Sequence, residues 1–266
     1  MMNMKGGVAV VTGGASGLGK AMAEEAARRG MKVVVADVEA GAMEKAVADL
    51  RADGAEAIGV LTDVTSAASV EALALATEQN FGPANLLFNN AGVASGGPIW
   101  ESTEKDWKWL FGVNVDGVAN GVRSFTPRML AAAAADPRYE GRIVNTASMA
   151  GLVTAPGMGI YSVSKHAVLA MSECLYHDLD LIGRQVRAAV LCPFYVSTNI
   201  SQCYRNRPAD LVNDSGPTRS QLATQAISAR DLANGTLTPE AVAAITFKAI
   251  EEDRFYIYPS PEQLPI

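Results

Sequence analysis

Cysteine and histidine are scarce in this sequence of 266 residues, which holds three cysteines (Cys174, Cys192, Cys203) and two histidines (His166, His177). An odd cysteine count with no CxxC pair offers no disulfide framework and fits a reducing, cytoplasmic compartment. Two histidines without clustered partners leave no ligand set for a metal. Positive charge is in deficit too, with 22 basic against 28 acidic residues and a net charge of −6. That balance argues against nucleic acid as a partner, because phosphate binding needs a basic face. No apolar run approaches the roughly 18 to 20 residues that span a bilayer, so no membrane partner is expected. The opening MMNMKGGVAVVTGG has one lysine and an apolar run cut short by glycines, which is no signal peptide. Hydrophobic and charged contents of 49% and 19% are ordinary for a globular protein long enough for one large α/β domain.

Glycine, by contrast, is placed with a pattern. The apolar run Val8–Thr12 leads directly into Gly13-Gly-Ala-Ser-Gly-Leu-Gly19, and a helical stretch follows to Arg29, closed by Gly30. Strand, glycine turn and helix in that order open a dinucleotide-binding unit. The glycines allow the backbone to approach a pyrophosphate, which then meets the free N–H groups at the helix start. Lys32–Ala36 reads as the next strand, with Asp37 at its carboxyl end. An acidic residue about 20 positions past the glycines suits the adenosine ribose hydroxyls. It would repel a 2′-phosphate, and Ala15, Ser16, Val38 and Glu39 supply no cation, so the pattern favours NAD over NADP. The alternative is that Asp37 merely caps a turn.

The alternation continues. Helix over Ala40–Asp53, strand over Glu56–Leu61, a helix capped by Ser66, and strand Asn85–Phe88 follow in turn. A helical region spans Thr103–Ala135, then come strand Arg142–Thr146, a helix to about Ile182, and strand Gln185–Leu191. After a loosely patterned segment at 199–235, a helix opens at Thr238-Pro239 and strand Phe255–Tyr258 follows. Such alternation predicts a parallel sheet with helices on both faces and a ligand at the carboxyl ends of the strands. The 199–235 segment has the length and position of a lid or substrate loop, or else of a surface excursion.

One stretch carries the chemistry. SMAGLVTAPGMGIYSVSK places a hydroxyl at Ser148, a phenol at Tyr161 and an ammonium at Lys165. Tyr161 and Lys165 are four apart and share a helix face. A fixed cation beside a phenol favours the phenolate, so Lys165 is expected to lower the Tyr161 pKa toward a range useful for proton transfer. Asn114 is a polar residue inside an apolar helical segment and needs partners if buried.

Together, Thr12-Gly-Gly-Ala-Ser-Gly-Leu-Gly19, Asn89-Asn-Ala-Gly92, Ser148 and Tyr161-Ser-Val-Ser-Lys165 resemble the short-chain dehydrogenase/reductases over nearly the whole chain. The resemblance implies a single Rossmann domain over residues 1–266 with a seven-stranded parallel sheet. It implies a catalytic set of Asn114, Ser148, Tyr161 and Lys165, with Asn114 holding a relay water. It also implies that Gly13, Ser16, Gly17, Leu18, Gly19 and Asp37 meet the dinucleotide. Asp63, Val64, Asn90, Ala91 and Gly92 would do so further along, as would Tyr161, Lys165, Pro193, Val196 and Thr198. The family commonly forms homotetramers or homodimers. One position departs from its pattern: Phe194 follows Pro193 where the family usually has glycine, so the turn there must differ or use an ordinary conformation.

A narrower likeness lies in Gly97-Pro-Ile, Trp107 to Met129, Ser197-Thr-Asn-Ile200, Arg205-Asn-Arg-Pro208 and Tyr256-Ile-Tyr-Pro259. These resemble bacterial dehydrogenases that oxidise a benzylic alcohol of lignin-derived aryl ethers. The expected activity is NAD-dependent interconversion of a secondary alcohol and a ketone. An NADP-dependent carbonyl reductase and a non-catalytic NAD-binding sensor are the rival readings.

Overall fold

The structure, a computed structural model, describes residues 2–264. Four early strands are largely apolar runs, β1 (Val8–Thr12), β2 (Lys32–Asp37), β3 (Ala57–Leu61) and β4 (Leu86–Asn89), and β5 (Gly141–Thr146) has Ile143 and Val144 at its centre. β1 and β4 are buried at every position, as expected of parallel strands covered on both faces. With β6 (Val186–Leu191) and the short β7 (Tyr256–Ile257) they form a seven-stranded sheet among the described residues, in the order β3-β2-β1-β4-β5-β6-β7. All pairs are parallel; Val10 on β1, for example, registers with Val34 on one side and Leu87 on the other. The strand order reverses between β1 and β4, and a crevice opens there at the carboxyl ends.

Side-chain alternation along the strands divides the core in two. Val11, Val33, Val35, Phe88 and Leu191 face α1 (Gly17–Arg28), α2 (Ala40–Ala52) and, from the far end of the sequence, α8, which spans Pro239–Glu251. Phe88 meets Phe247 of α8 with ring centroids 5.5 Å apart. The intervening residues Val10, Val34, Leu87 and Ile143 face the opposite layer, built from α3 (Ala67–Phe81), α5 (Gly117–Ala135) and α6 (Gly159–Ile182). Both faces are therefore covered, as the alternation of elements predicts.

Two segments differ from the sequence reading. The helical region Thr103–Ala135 is not one uniform helix. It comprises α4 (Glu104–Phe111), a π-turn at Gly112–Asp116 and α5, and Asn114 lies in the π-turn, fully buried. The segment at 199–235 contains 3₁₀ turns over Asn199–Asn206 and Ala209–Leu211, then a fifteen-residue helix α7 (Arg219–Ala233) with none of its residues buried. A Thr218 capping box starts α7, with Gln221 completing it. No described helix is long and apolar enough to cross a membrane.

Candidate active site

A cavity of about 640 Å³ runs along the carboxyl ends of the strands. At one end lies the glycine turn between β1 and α1. A Cβ added to Gly19 would stand 2.1 Å from the Gly13 carbonyl oxygen, so only glycine permits this closeness. Ser16 is the N-cap of α1 in an extended conformation, yet its side chain caps no amide, and the first turn contains no acidic residue. The amides of that turn are left without a side-chain partner beside the cavity. Asp37 marks the next wall. Its carboxylate accepts the Ala15 N–H and the Glu39 N–H, each at 3.0 Å, which fixes its orientation.

All the sequence-predicted binding residues line this one cavity: Gly13, Ser16 to Gly19, Asp37, Asp63, Val64, Asn90 to Gly92, Pro193, Val196 and Thr198. Asn90 also stitches the sheet, donating its side-chain amide to the Thr12 carbonyl at 3.0 Å. Amides for a diphosphate, a carboxylate for ribose hydroxyls and apolar Val64 suit a dinucleotide, so the residues fit the group. Among the described residues no cluster of three or more metal-ligating side chains occurs.

Ser148, Tyr161 and Lys165 meet at the same cavity. Ser148 leaves the end of β5, and the turn after it presses on α6. A Cβ at Gly151 would lie 2.6 Å from the Lys165 carbonyl oxygen, so this contact fixes the turn against the helix that carries Tyr161. The Ser148 hydroxyl accepts the Ala150 N–H and donates to the Pro193 carbonyl, and its closeness to the Tyr161 phenol pulls that pKa down, against the larger effect of burial. Lys165 Nζ donates to the Thr146 carbonyl at 2.9 Å and lies 5.8 Å from the Tyr161 ring centroid.

Burial, rather than pairing, governs the protonation of these groups. It pushes the Tyr161 phenol up to about 12 and the Lys165 ammonium down to about 8, because each charged form loses its hydration. The expected lowering of Tyr161 by Lys165 is therefore not what the structure has. The lysine, not the tyrosine, is the group brought toward neutral pH.

Asn114 stands behind the cavity wall. Its Oδ1 accepts the Val93 N–H at 2.8 Å, and its Nδ2 donates to the Val93 carbonyl and to Ser164 Oγ at 2.9 and 3.0 Å. A Cβ at Gly92 would come within 3.5 Å of Asn114 Oδ1 and 3.6 Å of Lys165 Nζ, so the missing side chain keeps a gap between the two. Phe194 has an ordinary negative φ, since Asp253 is the one described non-glycine residue with positive φ. Its ring packs on Tyr195, 4.6 Å between centroids, at the cavity edge.

The remaining walls were not visible in the sequence. Trp109, Met149, Met158, Tyr195, Cys203 and Tyr204 make them largely apolar, with Gln225 and Ser228 of α7 as polar exceptions. Tyr204 tilts against Trp109 at 5.3 Å and receives a hydrogen bond from Gln225 at 3.3 Å. Helix α7 rests on three glycines from two loops: Cβ atoms at Gly96 and Gly157 would lie 2.8 Å from Thr224, and one at Gly97 would lie 2.6 Å from Gln221. Glu39 and Arg205 also line the cavity and pair with each other. Sequence reading weighed Glu39 only as a missing cation, and nothing local signals a partner so far along the chain.

The family model described as short chain dehydrogenase matches residues 7–209. A C alpha-dehydrogenase of Sphingobium sp. strain SYK-6 is 36% identical over 98% of this chain and 83% of its own length. A CLA biosynthesis dehydrogenase/reductase of Lactiplantibacillus plantarum is 34% identical over 100% of this chain and 92% of its own. A crystal structure of a short chain dehydrogenase/reductase from Burkholderia phymatum in complex with NAD superposes with a TM-score of 0.96. It shares 52% identity, covering 98% of this chain and 92% of that one.

Proposed function

The chain belongs to the short chain dehydrogenase family, and from that premise we propose that it interconverts a secondary alcohol and a ketone with NAD as hydride carrier. The observation that carries this reading is one cavity joining Asp37 and the glycine turn to Ser148, Tyr161 and Lys165. Bound there, a nicotinamide ring supplies the hydride acceptor or donor. Gly13, Ser16 to Gly19 and Asp37 hold its diphosphate and adenosine, with Asp63, Val64, Asn90, Ala91 and Gly92 beside them. Pro193, Val196 and Thr198 close the far side, and Lys165 holds the second ribose.

The chain's own residues manage position and the proton. Ser148 donates to the substrate oxygen and stabilises charge on it. Tyr161 takes the hydroxyl proton in oxidation and returns it in reduction. Burial opposes both the phenolate and the ammonium, so the resting pair is a neutral phenol beside a lysine that loses its proton near pH 8 and can then take up the proton that Tyr161 hands on. Lys165 passes the proton on through a water between itself and Asn114 Oδ1, which retains a lone pair after accepting from Val93.

Apolar and aromatic walls support an aryl-bearing alcohol as substrate, in keeping with the Sphingobium relative. Asp37 supports NAD over NADP, and the intact set of Asn114, Ser148, Tyr161 and Lys165 supports an enzyme over a sensor. Trp100, Leu181 and Ile182, exposed at 81%, 87% and 67%, support a homodimer or homotetramer. The free thiols of Cys174, Cys192 and Cys203 support a reducing cytoplasm. The test is NADH formation across aliphatic, benzylic and steroid alcohols, with NAD and NADP in parallel. Strong preference for NADP would sink the cofactor assignment. Silence in both directions, with NADH shown to bind, would move the reading to a sensor.

A further inference from the structure

The two walls of the cavity touch at its adenosine end. One wall is the turn after β2, which carries Asp37 and Glu39. The other is the 3₁₀ run Asn199–Asn206, which starts beside the glycine turn, where a Cβ at Gly17 would lie 3.3 Å from Thr198. Arg205 closes the distance with a forked contact: Nη2 to Glu39 Oε1 at 2.6 Å and Nε to Glu39 Oε2 at 3.3 Å. Asn206 Nδ2 adds a third bond to Oε1 at 2.8 Å, and Arg205 Nη1 is held to its own run by the Gln202 carbonyl at 3.0 Å. Arg205 and Asn206 hold the Glu39 carboxyl below its ordinary pKa, so the pair is ionised at neutral pH.

The next residue pulls the opposite way. Arg207 Nη1 donates to Asp106 on α4 at 2.7 Å, its Nε donates to the Leu211 carbonyl, and its guanidinium lies 5.0 Å over the Trp109 ring. The side chains of Arg207 and Asp106 are only 7% and 9% exposed, against 37% and 30% for Arg205 and Glu39. The strap thus has a buried foot that salt cannot reach and a partly exposed tip that salt can screen. Asn199, Ile200, Ser201, Arg205 and Asn206 of this strap line the same cavity as the glycine turn and Asp37.

We propose that Glu39, Arg205 and Asn206 are cofactor-retaining residues, which clasp the strap over the adenosine half of a bound dinucleotide and set how long it stays. This rests on the reading that the cavity binds NAD. Opening the clasp breaks an exposed, forked ion pair, so removing it should change release more than capture.

The experiment is the NADH dissociation rate, followed by loss of bound-dinucleotide fluorescence, in native protein, Arg205→Ala, Arg205→Lys, Glu39→Gln and the Arg205→Ala/Glu39→Gln double variant. Release should quicken about two- to fivefold in each alanine or glutamine variant, with association little changed, and the double variant should add nothing further. Arg205→Lys, which keeps the charge without the fork, should fall between. Rising salt should speed release from the native protein and leave the double variant flat. Amide exchange over residues 199–206 of the cofactor-free protein should rise in Arg205→Ala while its melting temperature stays near the native value. Equal release rates in all variants at every salt concentration, with NADH bound, would overturn the clasp and leave the NAD reading standing. If NADH does not bind the native protein at all, the NAD reading falls, and the clasp with it.

Discussion

Replacing Arg207 by methionine removes the cation from the most enclosed ion pair among the described residues while keeping most of its aliphatic volume. Asp106 would be left with the Thr103 N–H and hydroxyl and with Asn213 Nδ2, which satisfy it in part. Breaking a buried pair at one end costs ~3–5 kcal/mol, and the surviving bonds place this case at the low end, about 3 kcal/mol. The melting temperature should fall by about 6–10 °C for a domain of this size. Removing both charges is a different matter. In Arg207→Met/Asp106→Leu no ion is stranded, and the chief loss is the Thr103 capping box, worth about 1 kcal/mol. The double variant should therefore be more stable than Arg207→Met. Acidity supplies a second check. Burial works to raise the Asp106 pKa, but Thr103, Arg207 and Asn213 together outweigh it and hold it below the ordinary value. A carboxyl depressed on folding stabilises above about pH 4, its unfolded value, and loses that contribution as pH falls through the folded one. The gap between native protein and Arg207→Met, measured by urea unfolding, should be widest near neutrality and shrink below about pH 4. A gap under about 1 kcal/mol, or one that does not change with acid, would refute the reasoning.

Other outcomes follow from the site. Tyr161→Phe should lower turnover by about 10²- to 10⁴-fold, the usual span of a lost acid–base group, while NADH binding measured by fluorescence stays within about twofold. Lys165, lowered to about 8 by burial, should impose its ionisation on the pH–rate profile: oxidation rising and reduction falling through that pH, so that matching profiles in the two directions would contradict the relay. Because its folded pKa lies below its unfolded one, Lys165 destabilises the fold at neutral pH. Lys165→Met should melt higher than native protein at pH 7, with the difference closing between pH 8 and about 10.5. Gly157→Ala places a methyl group 2.8 Å from Thr224 at a positive φ of 76°. It should raise the substrate KM more than the NADH Kd, and equal effects on both would dissociate α7 from the substrate pocket.

What could be read in advance depended on how local each signal was. The order strand, glycine turn, helix is written in consecutive residues from Val8 to Arg28, and Tyr161 and Lys165 meet through a helical period. Both are short-range facts, and the structure has them at the predicted positions. Helix α7 escaped notice because the usual signal, an apolar stripe, is absent from a helix with no buried residue; its capping box at Thr218 and Gln221 was the readable trace. The π-turn around Asn114 has no period of its own to detect. Arg205 and Glu39 are brought together only by tertiary structure, and the protonation of Tyr161 and Lys165 turned on burial that a four-residue spacing does not reveal.

Helix α7 rests on the protein rather than in it. The seat is backbone glycine, the contacts at Thr224 and Gln221 are small and polar, and no position of the helix contributes to the core. From an evolutionary standpoint this is a replaceable cassette. Mutations there reach the pocket through Gln225, Ser228 and Leu232 without touching the strands, the glycine turn or the proton-handling residues. Substitutions on this helix are therefore expected to reshape one wall of the cavity while the packing of the strands stays as it is.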